Sequence, residues 1–128
     1  MKKFIIFLVL VIVVGFWAAD YVKSGKLQNY IDANSSKEWA PKAQYHLGVW
    51  TYNAAYNDKA EYCFKHLMEK YPKSPYVVES LYHIGKIYEE TNRLSEAREI
   101  YKKLLNEFPN YKKAELVRKK YNYLINIY

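Results

Sequence analysis

The sequence contains a single cysteine, Cys63, among its 128 residues. An internal disulfide is therefore impossible, and no cysteine directly follows the apolar N-terminal run to carry a lipid. The four glycines form no phosphate-binding loop, and neither a zinc-ligand spacing nor a catalytic motif is present. These absences predict a protein that is not an enzyme and that requires no metal or other cofactor.

Charged side chains are missing from one long stretch, residues 4–19, which read FIIFLVLVIVVGFWAA. A helix of this length spans about 24 Å, somewhat less than the roughly 30 Å hydrocarbon core of a bilayer. Lys2 and Lys3 can reach the nearer interface through their long side chains. Residues 1–22 are therefore predicted to be an N-terminal transmembrane anchor.

A cleaved signal peptide is the alternative for this segment. Peptidase sites need small residues at the last and third-last positions. Cutting after Ala19 or Ala18 would place Trp17 or Phe16 third from the end, so we favour a retained anchor. Basic residues on the two sides of the span are nearly balanced, but a short basic segment before a first span usually stays cytoplasmic. We therefore expect the domain on the outer, periplasmic side of a bacterial inner membrane.

Residues 23–38 are polar and are predicted to be a linker that holds at most one short helix. Ser35 and Glu38 have the spacing of a capping box, which would open the next helix there. Pro41 favours a later start, because proline is best tolerated in the first turn of a helix.

The rest of the chain repeats itself with a shift of 37 residues and no gap. Residues 39–73 align with residues 76–110, and a fixed period of this size is typical of stacked helical units. The matching pairs are Tyr45 and Tyr82, His46 and His83, Gly48 and Gly85, Ala60 and Ala97, Phe64 and Tyr101, Leu67 and Leu104, and Pro72 and Pro109.

Each unit is predicted to contain two helices, the second of which ends before the proline. Glycine inside a helix costs about 0.5–1 kcal/mol relative to alanine. Its repetition at Gly48 and Gly85 therefore predicts a backbone contact that a side chain would block. Asn92 suits a turn position with positive φ, and Ser74-Pro75 fits a helix start. The apolar positions of the second unit's first helix recur at helical spacing in Leu81, Ile84, Ile87 and Tyr88.

These residues resemble the tetratricopeptide repeat, and the resemblance covers residues 39–110. The second unit supplies Leu81, Ile84, Gly85, Tyr88, Ala97, Tyr101 and Pro109 of the family pattern. The first unit supplies Leu47, Gly48, Ala60, Phe64 and Pro72, but has Gln44 and Thr51 at two usually apolar or aromatic positions. The junctions YPKSP and FPNYKKA are similar to bacterial envelope repeats. The resemblance implies a membrane-anchored scaffold that binds another protein in an envelope assembly or secretion complex.

Residues 111–128 continue the register, with Asn122 at the glycine position, and are predicted to form a capping helix. The predicted fold is therefore all-α: a transmembrane helix followed by a two-repeat α-solenoid with a C-terminal cap, over residues 39–128. Because so short an array is marginally stable, self-association or partner binding would supply additional stability.

The resemblance also implies a partner-binding groove on the first helix of each unit. Its surface would combine charged side chains with aromatic anchors, which suits a peptide or a helix. The groove positions are Lys42, Tyr45, Val49, Tyr52 and Asn53 in the first unit, and Glu79, Tyr82, Lys86, Glu89 and Glu90 in the second.

The formal net charge is +7, and much of the basic excess lies near the C-terminus. An alternative function is therefore docking of a basic helical module on anionic lipid or, in the cytoplasm, on nucleic acid. A solvated cap surface explains the same residues, and no nucleic-acid recognition motif is present. The basic patch consists of Lys112, Lys113, Arg118, Lys119 and Lys120.

Two pairs of residues raise the question of metal binding or nucleophilic catalysis. His46 and His83 share one repeat position, so repetition explains them without a bound metal. Cys63 and His66 lie one turn apart, but a nucleophile also needs an orienting group and an oxyanion site. We therefore interpret Cys63 and His66 as packing residues, and we expect His46 and His83 at helix interfaces or edges.

Overall fold

A computed structural model describes residues 1–127, and every regular element in that range is an α-helix. The helices are α1 (Lys2–Lys23), α2 (Lys26–Ala33), α3 (Ala40–Asn53), α4 (Asn57–Lys70), α5 (Tyr76–Glu90), α6 (Leu94–Glu107) and α7 (Ala114–Asn126). The all-α prediction is confirmed. The chain divides into two compact units, Met1–Ala40 and the remainder from Pro41 onwards.

The first unit contains α1 and α2. No residue of α1 is buried, and its mean hydropathy of 2.5 over a membrane-length window makes it long and apolar enough to cross a bilayer. A signal sequence has the same properties. The chain from Asn34 to Trp39 forms turns, and α3 begins only at Ala40. The capping-box interpretation of Ser35 and Glu38 is therefore wrong, and Pro41 lies in the first turn of α3.

The second unit consists of two helix pairs and α7. Within each pair, an aromatic ring of the second helix lies on a glycine of the first. A Cβ atom on Gly48 would lie 2.6 Å from the ring of Phe64, and one on Gly85 would lie 2.2 Å from the ring of Tyr101. The predicted close contact is confirmed, and an aromatic ring makes it. The residues of the second helices that share this interface are fully buried: Ala60, Phe64, Leu67, Ala97, Tyr101 and Leu104.

The turns inside the two pairs share a backbone conformation. Asn92 has φ 59°, as predicted, and Ala55 at the matching position has φ 62°. The left-handed conformation costs a residue with a Cβ roughly 1–2 kcal/mol, and asparagine tolerates it better than alanine. The start of α5 is also confirmed, since the Ser74 Oγ accepts a hydrogen bond from the Tyr76 N–H at 3.2 Å and Pro75 has φ −63°.

Two polar residues lie in the core of the first helix pair, at positions that are usually apolar or aromatic in the repeat. Gln44 is fully buried, and its Nε2 donates a hydrogen bond to the carbonyl oxygen of Cys63 at 3.0 Å. The Thr51 hydroxyl donates to the carbonyl oxygen of Leu47 at 2.9 Å. These bonds explain how the repeat accommodates a polar residue at each of the two positions, since a buried polar group must be paired.

The last helix, α7, packs on α6 through Ala114, Val117 and Leu124, all of which are buried. Asn122, at the glycine position, is exposed, so no further helix covers it within the described residues. The predicted cap extended to residue 128, which lies outside the described residues.

Candidate interaction surface

The ten predicted groove residues lie on α3 and α5, and the structure brings several of them together. The Tyr52 hydroxyl donates a hydrogen bond to Glu90 Oε1 at 2.5 Å. The ammonium group of Lys86 lies 5.0 Å from the ring centre of Tyr52 and 5.6 Å from that of Tyr82. Burial and the bond to Glu90 both raise the pKa of Tyr52, so its hydroxyl remains a donor. Lys86 therefore connects aromatic rings of two neighbouring helices.

Tyr45 lies beside the half-buried imidazole of His83. Its ring stacks on Tyr76 with 5.1 Å between centres, and His83 meets its edge at 5.8 Å. Phe64 stacks on the other side of His83 at 4.9 Å. Burial lowers the pKa of His83, although its Nδ1 lies 2.9 Å from the carbonyl oxygen of Glu79. His83 thus packs between α3 and α4 beneath the predicted groove.

The remaining groove positions differ in exposure. Lys42 and Asn53 are exposed, while Val49 is half-buried against the core. Tyr82 departs from the prediction: only 7% of it is exposed, because the chain itself covers it. The Lys113 ammonium lies 4.7 Å from its ring centre, so a partner would not reach Tyr82 as an anchor.

Two groove glutamates bind basic residues of the predicted patch. Lys112 lies 3.3 Å from Glu79, and Lys120 lies 3.2 Å from Glu89. Tyrosine hydroxyls donate to the same carboxylates: Tyr111 to Glu79 at 2.8 Å, and Tyr101 to Glu89. Burial and these bonds raise the pKa of both tyrosines. Glu89 therefore joins α5 to α6 and α7, and Glu79 joins α5 to the segment that leads into α7.

The basic patch is largely neutralised by these pairs. Besides Lys112 and Lys120, Arg118 pairs with Glu115 at 2.5 Å. Lys113 makes its contact with an aromatic ring, and Lys119 is exposed. Three of the five predicted basic residues thus have a carboxylate partner within the chain, which reduces the charge that the patch offers to lipid or nucleic acid.

Four of the contacts that successive first helices make share one spacing, which the repeat period did not reveal. Lys120 and Glu89 are 31 residues apart, and so are the pairs Tyr45–Tyr76, Tyr52–His83 and Tyr82–Lys113. The sequence period equates residues 37 apart, but neighbouring helices are displaced along their axes. A search for complementary side chains near this shorter spacing would have found the pairs.

A second polar cluster lies outside the groove, where Glu61 of α4 meets the turn before α6. Its carboxylate accepts hydrogen bonds from Lys65, Tyr88 and Arg93, each at 2.8 Å. Burial alone would raise the pKa of Glu61, but the three donors lower it. Arg93 also lies 4.1 Å from the ring centre of Tyr88. This cluster connects the two helix pairs.

Cys63, His66 and His46 do not form a reactive site. Burial raises the pKa of the Cys63 thiol to about 11, the opposite of what a nucleophilic thiolate requires. His66 stacks on Tyr62, and His46 is exposed. Residues 1–127 contain no group of three or more side chains that could hold a metal ion.

A comparison with protein families agrees with this geometry. Residues 79–111, which include α5, α6 and the following turn, match a family model described as tetratricopeptide repeat. No curated protein matches the chain.

Proposed function

We propose that the chain is a tetratricopeptide repeat protein that acts as a non-catalytic, membrane-anchored scaffold and holds another protein. The match of residues 79–111 to the family model supports the family part of this proposal. Helical repeats of this family generally mediate binding between proteins. The finer parts of the proposal are retention of α1 as an anchor, a periplasmic domain at a bacterial inner membrane, and service to an envelope assembly or secretion complex. An anchor would raise the domain's effective concentration near membrane partners.

The observation that carries the proposal is the division of charge in the groove. Glu79, Glu89 and Glu90 all accept hydrogen bonds from tyrosines of the same chain. Glu79 and Glu89 are also paired with Lys112 and Lys120, which neutralises their charge. In contrast, Lys86 makes no ion pair within the described residues and lies against Tyr52. The surface left for a partner is therefore cationic and aromatic. It fits a helix or an extended segment that carries acidic and apolar side chains.

Cross-linking of the full-length protein in native membranes would test this proposal. A photoreactive residue at Asn53, which is exposed in the groove, should capture one reproducible partner that mass spectrometry identifies. The same group at Tyr62, which is exposed on α4, serves as the matched control and should not capture it. Capture from both positions, or from neither, would contradict a groove-specific scaffold.

Groove variants provide a second test with the captured partner. Tyr52→Ala or Lys86→Glu should weaken binding roughly tenfold or more, because each removes or reverses a central contact. Tyr62→Ala and Lys102→Glu make the same changes at exposed positions of second helices and should have little effect. Helicity should remain unchanged in all four. Unaltered binding by the two groove variants would count against the groove.

The alternative of basic docking is less well supported. Ion pairs with Glu79, Glu89 and Glu115 occupy three of the five patch residues. A surface that bound anionic lipid or nucleic acid mainly by charge would need these lysines and arginines to be free. The observed pairs favour a protein partner for the repeats.

A further inference from the structure

Two lysines share one aromatic ring between α5 and the residue that precedes α7. The Lys86 ammonium lies 5.6 Å from the ring centre of Tyr82, and the Lys113 ammonium lies 4.7 Å from it. Neither lysine makes an ion pair within residues 1–127. Because Tyr82 is almost fully buried, its ring holds the two ammonium groups in place and does not itself reach a partner. We refer to Lys86 and Lys113 as the lysine pair.

The side of α7 that follows Lys113 is apolar and exposed. Leu116 is 45% exposed, Tyr123 66% and Ile127 47%. Spacings of three, seven and four residues place Lys113 and these three side chains along one side of the helix. A shift of 37 residues equates the three with groove positions of α5, so they extend the predicted groove onto a third helix. We refer to Leu116, Tyr123 and Ile127 as the α7 face.

The charge and direction of these two features indicate the occupant. Two ammonium groups without ion pairs attract a carboxylate, and three exposed apolar side chains on one side of a helix need an apolar contact. The α7 face runs along the helix axis. A second helix aligned with α7 can therefore meet it with its own successive turns.

A second copy of this chain does not offer that combination through α7. Glu115 is the only acidic residue of this helix, and it is paired with Arg118 at 2.5 Å. Two copies packed through the α7 face would bring lysines together with no free carboxylate between them, which like charges disfavour. A helix that carries its own carboxylate complements the surface better.

We propose that the groove binds an amphipathic helix of another protein, which lies along α7 and places a carboxylate on the lysine pair. The apolar side chains of that helix begin one turn away from the carboxylate and pack on the α7 face. Two aligned helices have the same rise of about 1.5 Å per residue, so the partner's side chains recur at the spacings found in α7. This inference rests on the proposed function, because it names the kind of segment that the groove would hold.

A synthetic helical peptide tests the pairing directly. It carries an aspartate, a leucine, a phenylalanine and an isoleucine on one side, at the spacings of Lys113 and the α7 face, and two versions place the aspartate at either end. A control peptide has the same composition with its apolar residues distributed around the helix. Fluorescence anisotropy measures binding to the full-length protein in phosphatidylcholine nanodiscs, and empty nanodiscs measure binding to lipid. One version should bind roughly tenfold more tightly than the control peptide.

Variants of the chain test the two halves of the contact. Lys113→Met retains the length of the side chain over the ring but removes its charge, so it should weaken peptide binding roughly tenfold, and Lys113→Arg should restore it. Tyr123→Ser should weaken binding roughly fivefold, because it removes an apolar contact. Lys102→Met and Tyr62→Ser make the same changes at exposed positions of second helices and should leave binding unchanged. Circular dichroism should show equal helicity in all five variants.

The outcomes separate this inference from the proposed function. Equal binding of the control peptide overturns the inference. So does binding that Lys113→Met and Tyr123→Ser leave unchanged but Tyr52→Ala weakens, which leaves a groove on α3 and α5. No peptide binding, while a photoreactive residue at Asn53 still captures one partner, overturns the inference and leaves the scaffold. Failure of the peptide and of the capture overturns both.

Discussion

Replacing Gly85 by alanine adds one methyl group at the most crowded contact between α5 and α6. That methyl carbon would lie 2.2 Å from Cε1 of Tyr101, far inside van der Waals contact. Tyr101 cannot easily move away, because it is fully buried and its hydroxyl is bonded to Glu89. The helices must therefore separate or the ring must leave its rotamer.

Two effects of opposite sign decide the result of Gly85→Ala. Alanine in a helix interior gains about 0.5–1 kcal/mol over glycine. Overpacking a tight core typically costs about 1–3 kcal/mol, and a contact this short lies at the upper end of that range. We expect a net loss of roughly 2 kcal/mol in the free energy of unfolding. Gly48→Ala should cost less, because its contact with Phe64 would be 2.6 Å.

The loss in the free energy of unfolding is measured by urea unfolding of the full-length protein in mild detergent, monitored by circular dichroism. The control is Gly85→Ala in a Tyr101→Leu background, where the smaller side chain leaves room for the methyl group. There the substitution should be close to neutral or stabilising. If Gly85→Ala stabilises the protein by the amount that helix propensity alone gives, the contact does not constrain the fold and our reasoning is refuted.

Three further outcomes follow from the electrostatics and burial. Glu61→Gln should lower the free energy of unfolding by about 1 kcal/mol at neutral pH. Because the folded-state pKa of Glu61 is lowered, the wild type loses this advantage only as the pH falls through that pKa. Urea titrations of the two proteins should therefore give converging free energies of unfolding in acid. His83 has a lowered pKa when folded, so stability should decline as the pH falls below the unfolded value near 6.5. His83→Gln should remove that decline and the exposed-site control His46→Gln should retain it; equal pH profiles would contradict the burial. Cys63 should react with a thiol reagent only upon unfolding, and rapid labelling of the native protein would contradict its pKa of about 11.

The sequence alone determined the elements and their order, because those depend on local patterns. An uncharged apolar run makes α1, and the glycines, alanines and prolines repeated at a shift of 37 residues make the two helix pairs. Asn92 marked its turn since few residues tolerate positive φ. The start of α3 stayed open between Ser35 and Pro41, because capping-box spacing says nothing about whether the following turn is helical, and the structure places it at Ala40.

The identities of contacting partners were decided by the tertiary structure. Repeat spacing shows which residues are equivalent, but it does not show how far neighbouring helices are displaced along their axes. That displacement places Lys120 on Glu89 and Lys113 over Tyr82, so a predicted basic patch becomes paired and a predicted anchor becomes buried. A side chain's type is fixed by its codon, but its availability to a partner depends on what the packed helices place against it.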